Sequence, residues 1–147
     1  MTKEFIPYQQ GLQLKELGFD EPCWAWWHIE DCDIRYCYSD QRSPIINSRE
    51  TEIVGLPTYS QVFRWFRENY KLHSYIYQDY SWNISGGIWD LNGHIGSRYD
   101  WDSNPHTTYE EAELACLKQL IEIVDAKIHA PIFYFPNLGV LSNWMLS

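Results

Sequence analysis

The sequence predicts an α+β protein: an antiparallel sheet of about five strands with three helices on one face, in the order α-ββ-α-βββ-α, plus an extended apolar C-terminal tail. Three observations carry this prediction. Apolar residues recur at helical spacing in three separated segments, each with its own start signal. Between them lie short aromatic and β-branched runs punctuated by turn residues. One of those runs alternates strictly, with Leu72, Ser74 and Ile76 on one side and His73, Tyr75 and Tyr77 on the other, which is the period of a strand.

The first helix begins at Pro7, a residue suited to a first turn, and carries Tyr8, Leu12, Leu14 and Leu17 as one stripe up to a stop at Gly18. A hairpin follows, from Cys23 to Ile29 and from Ile34 to Tyr38, with Glu30, Asp31, Cys32 and Asp33 in the turn. Residues 41–56 read as a long loop with a short strand at Ile53 and Val54. The second helix runs from an N-cap at Thr58 or Ser60 to Tyr70, with Tyr59, Val62, Phe63, Phe66 and Tyr70 at helical spacing. After the alternating strand, Trp82 to Leu91 forms the next one, with Gly86-Gly87 marking a bulge or a close backbone approach. Asn92-Gly93 is a two-residue hairpin signal, and His94 to Trp101 is the return strand. Thr108-Tyr109-Glu110-Glu111 is a capping box. It opens a helix to about Ala126, whose row Tyr109, Ala112, Cys116, Leu120 and Val124 is widened by Leu117, Ile121 and Ile128.

At 147 residues the chain fits one domain, residues 1–147, and a domain of that size buries roughly 70% of its unfolded surface. It needs neither metal nor disulfide to fold. Eight Trp and eleven Tyr exceed what such a core readily hides, so several are expected at a recognition surface. The net charge of −9 disfavours generic nucleic-acid binding and anionic membrane surfaces. Cys23, Cys32, Cys37 and Cys116 form no CxxC pair, and no signal peptide opens the sequence, so reduced thiols in a cytoplasm are expected. No apolar run approaches the length of a membrane span.

The segments from Phe5-Ile6-Pro7-Tyr8 to Phe19-Asp20-Glu21-Pro22-Cys23, from Leu56-Pro57-Thr58-Tyr59 to Phe66-Arg67-Glu68, and from Thr108-Tyr109-Glu110-Glu111 to Glu122-Ile123-Val124 together resemble a group of small uncharacterised proteins of bacteriophages, prophages and other mobile elements. The resemblance covers the three helices and little of the strands. It brings no catalytic residues. It implies an accessory protein acting in the cytoplasm of a bacterial host.

Few constellations point to chemistry. His28, Glu30, Asp31, Cys32 and Asp33 cluster at the first hairpin, but carboxylates in a turn are ordinarily solvated, and no metal is expected. No nucleophile elbow and no phosphate loop occur, and no cofactor is implied. The most informative feature lies on the second helix, where Arg64, Arg67 and Lys71 share a face by their spacing, with Trp65 beside them. Arg42 and Arg49 precede them, so five of the eleven basic residues fall between positions 42 and 71. Arginine forks hold phosphate and aromatic faces stack on bases. The competing reading is a solvated helix face with weak pairs to Glu50, Glu52 and Glu68.

These features suit a non-enzymatic binding protein that sequesters a nucleotide-like signal molecule. The alternative is an inhibitor that docks its acidic, aromatic surface on a host or defence protein, and an enzyme comes third. The apolar tail, residues 131–147, is expected either to complete its own core or to cross to a second copy in a homodimer.

Overall fold

The computed structural model describes residues 3–37, 44–47, 52–92, 97–99 and 108–129. Within them the chain runs α1 (Tyr8–Glu16), β1 (Ala25–His28), β2 (Asp33–Tyr36), β3 (Ile53–Leu56), α2 (Tyr59–Tyr70), β4 (Leu72–Gln78), β5 (Ile84–Asp90), β6 (Ser97–Tyr99) and α3 (Tyr109–His129). The α+β class agrees with the sequence, and the order matches the expected α-ββ-α-βββ-α apart from β3, which makes six strands where about five were expected. The strands, however, form two antiparallel sheets, ordered β2-β1-β3 and β4-β5-β6. The division follows the helices: α1 packs on β3, whereas α3 packs on β4 and β5 and α2 contacts both α3 and β4. A buried cluster joins the layers, running from Ile6, Leu14 and Phe19 through Val62, Trp65 and Phe66 to Ile88, Cys116 and Leu120.

Each helix end has a local cause. Pro7 is the N-cap of α1 and already has the extended backbone that leads into a helix. At the other end Gly18 takes φ +92°, a region open to glycine, and the reversal lets Phe19 N–H donate to Leu14 O and Gly18 N–H to Lys15 O. Both side chains joined by that Schellman turn, Leu14 and Phe19, are buried. Thr58 Oγ1 accepts from Gln61 N–H at 3.3 Å and Thr108 Oγ1 from Glu111 N–H at 3.2 Å, which caps α2 and α3. On α3 the predicted row is buried except at its ends: Tyr109 and Ile128 are exposed, and Ile123 is buried instead. The buried stripe is wider than one row because α3 packs on α1 and α2 as well as on the sheet.

Two local expectations fail in the second sheet. The β4–β5 register runs unbroken from Leu72↔Asp90 to Gln78↔Ile84, so Gly86 and Gly87 pair regularly and form no bulge. Asp90 lies opposite Ser97, so the connection spans six residues and not the two expected from Asn92-Gly93, of which Gly93 lies outside the described residues. Asn92 has other bonds: its N–H and Nδ2 donate to Asp90 Oδ1 at 3.0 and 2.8 Å, and Nδ2 also reaches Tyr70 O at 2.7 Å. Asp90 is buried, and its other oxygen accepts from Lys127 Nζ of α3 at 2.5 Å. Burial works to raise the Asp90 pKa, but the Lys127 and Asn92 hydrogen bonds outweigh it and hold the carboxyl below its ordinary value. The four cysteines form no disulfide, with Cys32 exposed and the other three buried. Burial pushes the Cys23 and Cys116 thiols up to about 12, which makes them inert core groups. The 131–147 tail lies outside the described residues, as do residues 41–43 and 48–51 of the long loop. Among the described residues no helix is long and apolar enough to cross a membrane.

Candidate functional site

The helical period sorts the candidate residues of α2. Arg64 and Arg67 point outward and are exposed, while Val62 and Phe66 are buried. Trp65 goes with the second pair, not with the guanidiniums. It is 4% exposed, and its ring meets Phe19, Phe66 and Tyr70 at 5.1–5.3 Å in edge-on contacts. Trp65 is therefore a core residue and presents no face to a ligand held by the arginines. Arg64 Nη2 lies 3.5 Å from Glu21 Oε2 in an exposed pair of little energetic consequence. Lys71 ends the helix in a left-handed conformation at φ 54°. Arg67 and Lys71 form no ion pair among the described residues. Arg42 and Arg49 lie outside those residues, so the structure brings together Arg64, Arg67 and Lys71 of the predicted set.

The rings that a stacking site needs lie elsewhere, on the sheet that α2 leads into. Leu72 and Ile88 are buried, and Leu72 lies opposite Asp90 and Ser74 opposite Ile88; that face of β4–β5 is the inner one, toward α3. By alternation His73, Tyr75 and Tyr77 occupy the outer face, opposite Trp89, Gly87 and Ser85. The Tyr75 and Tyr77 rings are stacked, with centroids 6.2 Å apart and planes at 20°. Tyr77 is 47% and Trp89 42% exposed.

The hairpin tip extends the same array. Asp79 organises it: Oδ1 accepts from Ser81 N–H at 2.8 Å and Asn83 N–H at 2.9 Å, and Asp79 N–H donates to Asn83 O at 2.9 Å. Two rings project from this clamped loop, Tyr80 and Trp82, both largely exposed. Trp82 adopts φ +67°, where a bulky side chain is strained. From Leu72 to Trp89 the one permanently charged residue is Asp79. A chain of net charge −9 thus carries a nearly neutral aromatic face, with Arg67 and Lys71 at the end where α2 passes into β4. The signal for this face was in the sequence: the alternating 72–77 run places an aromatic at every outer position.

Two other features are weaker candidates. A groove of about 600 Å³ between α1 and α3 is lined by Gln10, Glu16, Lys118, Glu122, Asp125 and His129 among others, a mixed set with no focus of one charge. His28 Nδ1 is buried without a hydrogen bond and faces Asp31 Oδ2 at 3.4 Å, while Asp31 is held by Arg35. Among the described residues no group of three or more His, Cys, Asp or Glu side chains converges as a metal site would require. No family model, no curated protein and no solved structure matches the chain.

Proposed function

We propose that this chain is a non-enzymatic binding module whose ligand face is the outer surface of β4–β5, and that it sequesters a nucleotide-like small molecule. The stacked pair Tyr75–Tyr77, half-buried at Tyr75 and exposed at Tyr77, carries this reading. Ring faces stack on bases, each worth about 1–3 kcal/mol, and are indifferent to base identity. Arg67 and Lys71 supply donors for a phosphate at the helix end of the face. With two cations in an acidic protein, the site suits a ligand of few phosphates over a nucleic-acid backbone. The resemblance to phage and mobile-element proteins suggests the setting, a bacterial cytoplasm where such a molecule acts as an immune signal.

A panel of mononucleotides, dinucleotides and cyclic dinucleotides, read by thermal shift, tests this. A ligand at a hundred times its dissociation constant adds about 2.7 kcal/mol of stability. Tyr77→Ala and Arg67→Ala are expected to abolish the shift without lowering the unliganded midpoint, since both residues are exposed. A panel without any shift rejects the reading. The second reading, an inhibitor of a host or defence protein, is favoured by one observation: Tyr80 and Trp82 stand out from the surface on a clamped loop, as interface anchors do.

A further inference from the structure

Among the described residues, the edge of β4 is the other unsatisfied surface of the second sheet. Leu91 N–H donates to Lys71 O and Asp79 N–H donates to Asn83 O, both on the β4–β5 register. Hydrogen-bonded pairs therefore fall at odd positions of β4, and the main-chain groups of Leu72, Ser74, Ile76 and Gln78 point away from β5. Among the described residues Ser74, Ile76 and Gln78 have no main-chain partner on that side. The strand is seven residues long, regular, and free of Pro, Lys, Asp and Glu. Such an edge lacks the prolines, charges and bulges that guard against pairing with another strand, and among the described residues no strand pairs with it.

We propose that β4 pairs antiparallel with β4 of a second copy across a two-fold axis at Tyr75, joining two sheets into one. The axis position follows from the residues. Centring on Tyr75 overlaps all seven residues, with Leu72 against Gln78 of the partner copy and Ser74 against its Ile76, so every outward-pointing group is matched. It also sets Lys71 of each copy against Asp79 of the other, the two charged residues that flank the strand. Two acidic chains of net charge −9 repel across most contacts, and this strand carries no charge to repel. On the ligand reading proposed above, the pairing also extends the binding face. Tyr75 meets its own symmetry mate and His73 meets Tyr77 of the second copy, at non-hydrogen-bonded positions about 4.5 Å apart at Cα. The outer surface becomes one aromatic floor built by both copies.

Sedimentation equilibrium of the whole chain tests the pairing without any ligand. The expected mass is twice 17.6 kDa. Ile76→Pro removes an edge-directed N–H while leaving the β5 ladder intact, and is expected to give a folded monomer by far-UV circular dichroism. Tyr75→Cys in a Cys32→Ser background supplies an independent reading should the proline variant not fold. Oxidised glutathione is then expected to join two chains through one S–S bond, itself reduced to two thiols, because facing non-hydrogen-bonded pairs have disulfide geometry. A wild-type monomer at all concentrations overturns the proposal. So does a dimer that survives Ile76→Pro, and so does a dimer that Tyr75→Cys fails to cross-link. A monomer whose melting point still rises with a nucleotide would reject this pairing and leave the ligand reading standing.

Discussion

The two sheets treat their edges and faces in opposite ways. In the first, the outward main-chain groups of β3 are taken up: Asn47 Oδ1 accepts from Gly55 N–H at 2.9 Å and Lys15 Nζ donates to Ile53 O at 2.9 Å. Its far edge, β2, is four residues long and carries Asp33 and Arg35. One face is covered by α1, where Gly11 approaches β3 so closely that a Cβ would lie 2.8 Å from Leu56 Cδ2. The second sheet has a long neutral edge at β4 and an aromatic outer face on which Tyr77 and Trp89 are exposed. A sheet sealed by polar clasps and a close helix is a scaffold. One that, among the described residues, leaves seven residues of edge unpaired and exposed rings on its outer face bears surfaces for something else.

The inner face of the second sheet offers the largest test of that contrast. Leu120 is fully buried on α3, and Leu120→Ala is expected to cost about 2–5 kcal/mol. Tyr77→Ala, on the outer face of the same sheet, is expected to change stability by less than about 0.5 kcal/mol, as for surface positions. Chemical denaturation of both variants measures the difference. Equal losses would mean that the outer face is part of the core.

The sealed edge of the first sheet makes the next prediction. A Cβ at Gly55 would lie 2.7 Å from Cys23 Sγ and 3.2 Å from Asn47 Oδ1, so Gly55→Ala both overpacks the sheet and strains its clasp. A loss of about 1–3 kcal/mol in urea is expected. A neutral result would show that Asn47 yields easily and that the edge is less firmly closed than its hydrogen bonds imply.

The fastenings also differ in their response to acid. The first sheet's clasps are an amide and a lysine bonded to the main chain, with no carboxylate among them. The second is tied to α3 by Asp90 and Lys127. Because the folded Asp90 pKa is depressed, its contribution is fully present above the ordinary carboxylate value and is lost as pH falls through the folded one. Lys127→Met is expected to cost about 1–3 kcal/mol at pH 7, the range for a hydrogen bond to a charged group. The gap between variant and wild type should narrow below about pH 4. A gap independent of pH would mean that Lys127 contributes through its stem alone.

Sequence reasoning reached the helices because their signals are local. Thr58, Thr108 and Gly18 each act within a few residues of themselves, and each does what its type predicts. It placed the alternation of 72–77 correctly and put its candidate ligand residues on α2, because Arg64, Arg67 and Lys71 form a visible charge pattern. Trp65 is the one member of that set the structure removes: helical geometry alone does not say which of two adjacent residues turns inward, and Phe19, from a distant part of the chain, helps decide it. The split into two sheets was not legible either, since it depends on which strands α1 and α3 cover. Asn92 kept its expected role as a turn residue in composition only, because Asp90 and Tyr70 O compete for its donors.

A small stabilising effect is expected at Trp82, and it bears on what the exposed rings of the second sheet are for. Its backbone lies in the left-handed region, and its side chain is 79% exposed, so little burial offsets the strain. Asparagine tolerates that region better than any residue except glycine. It also leaves the loop's hydrogen bonds in place, since Asp79 accepts from the main chain of Ser81 and Asn83, not from the indole. Trp82→Asn is therefore expected to stabilise the unliganded protein by up to about 1 kcal/mol, seen as a higher denaturation midpoint. Strain retained at an exposed position is explained if the ring contacts a partner that is absent from the isolated chain. The same variant should then bind less tightly to whatever the aromatic face holds, nucleotide or protein. A variant that is less stable than wild type would show that the indole packs on its own hairpin, and Trp82 would belong with the scaffold.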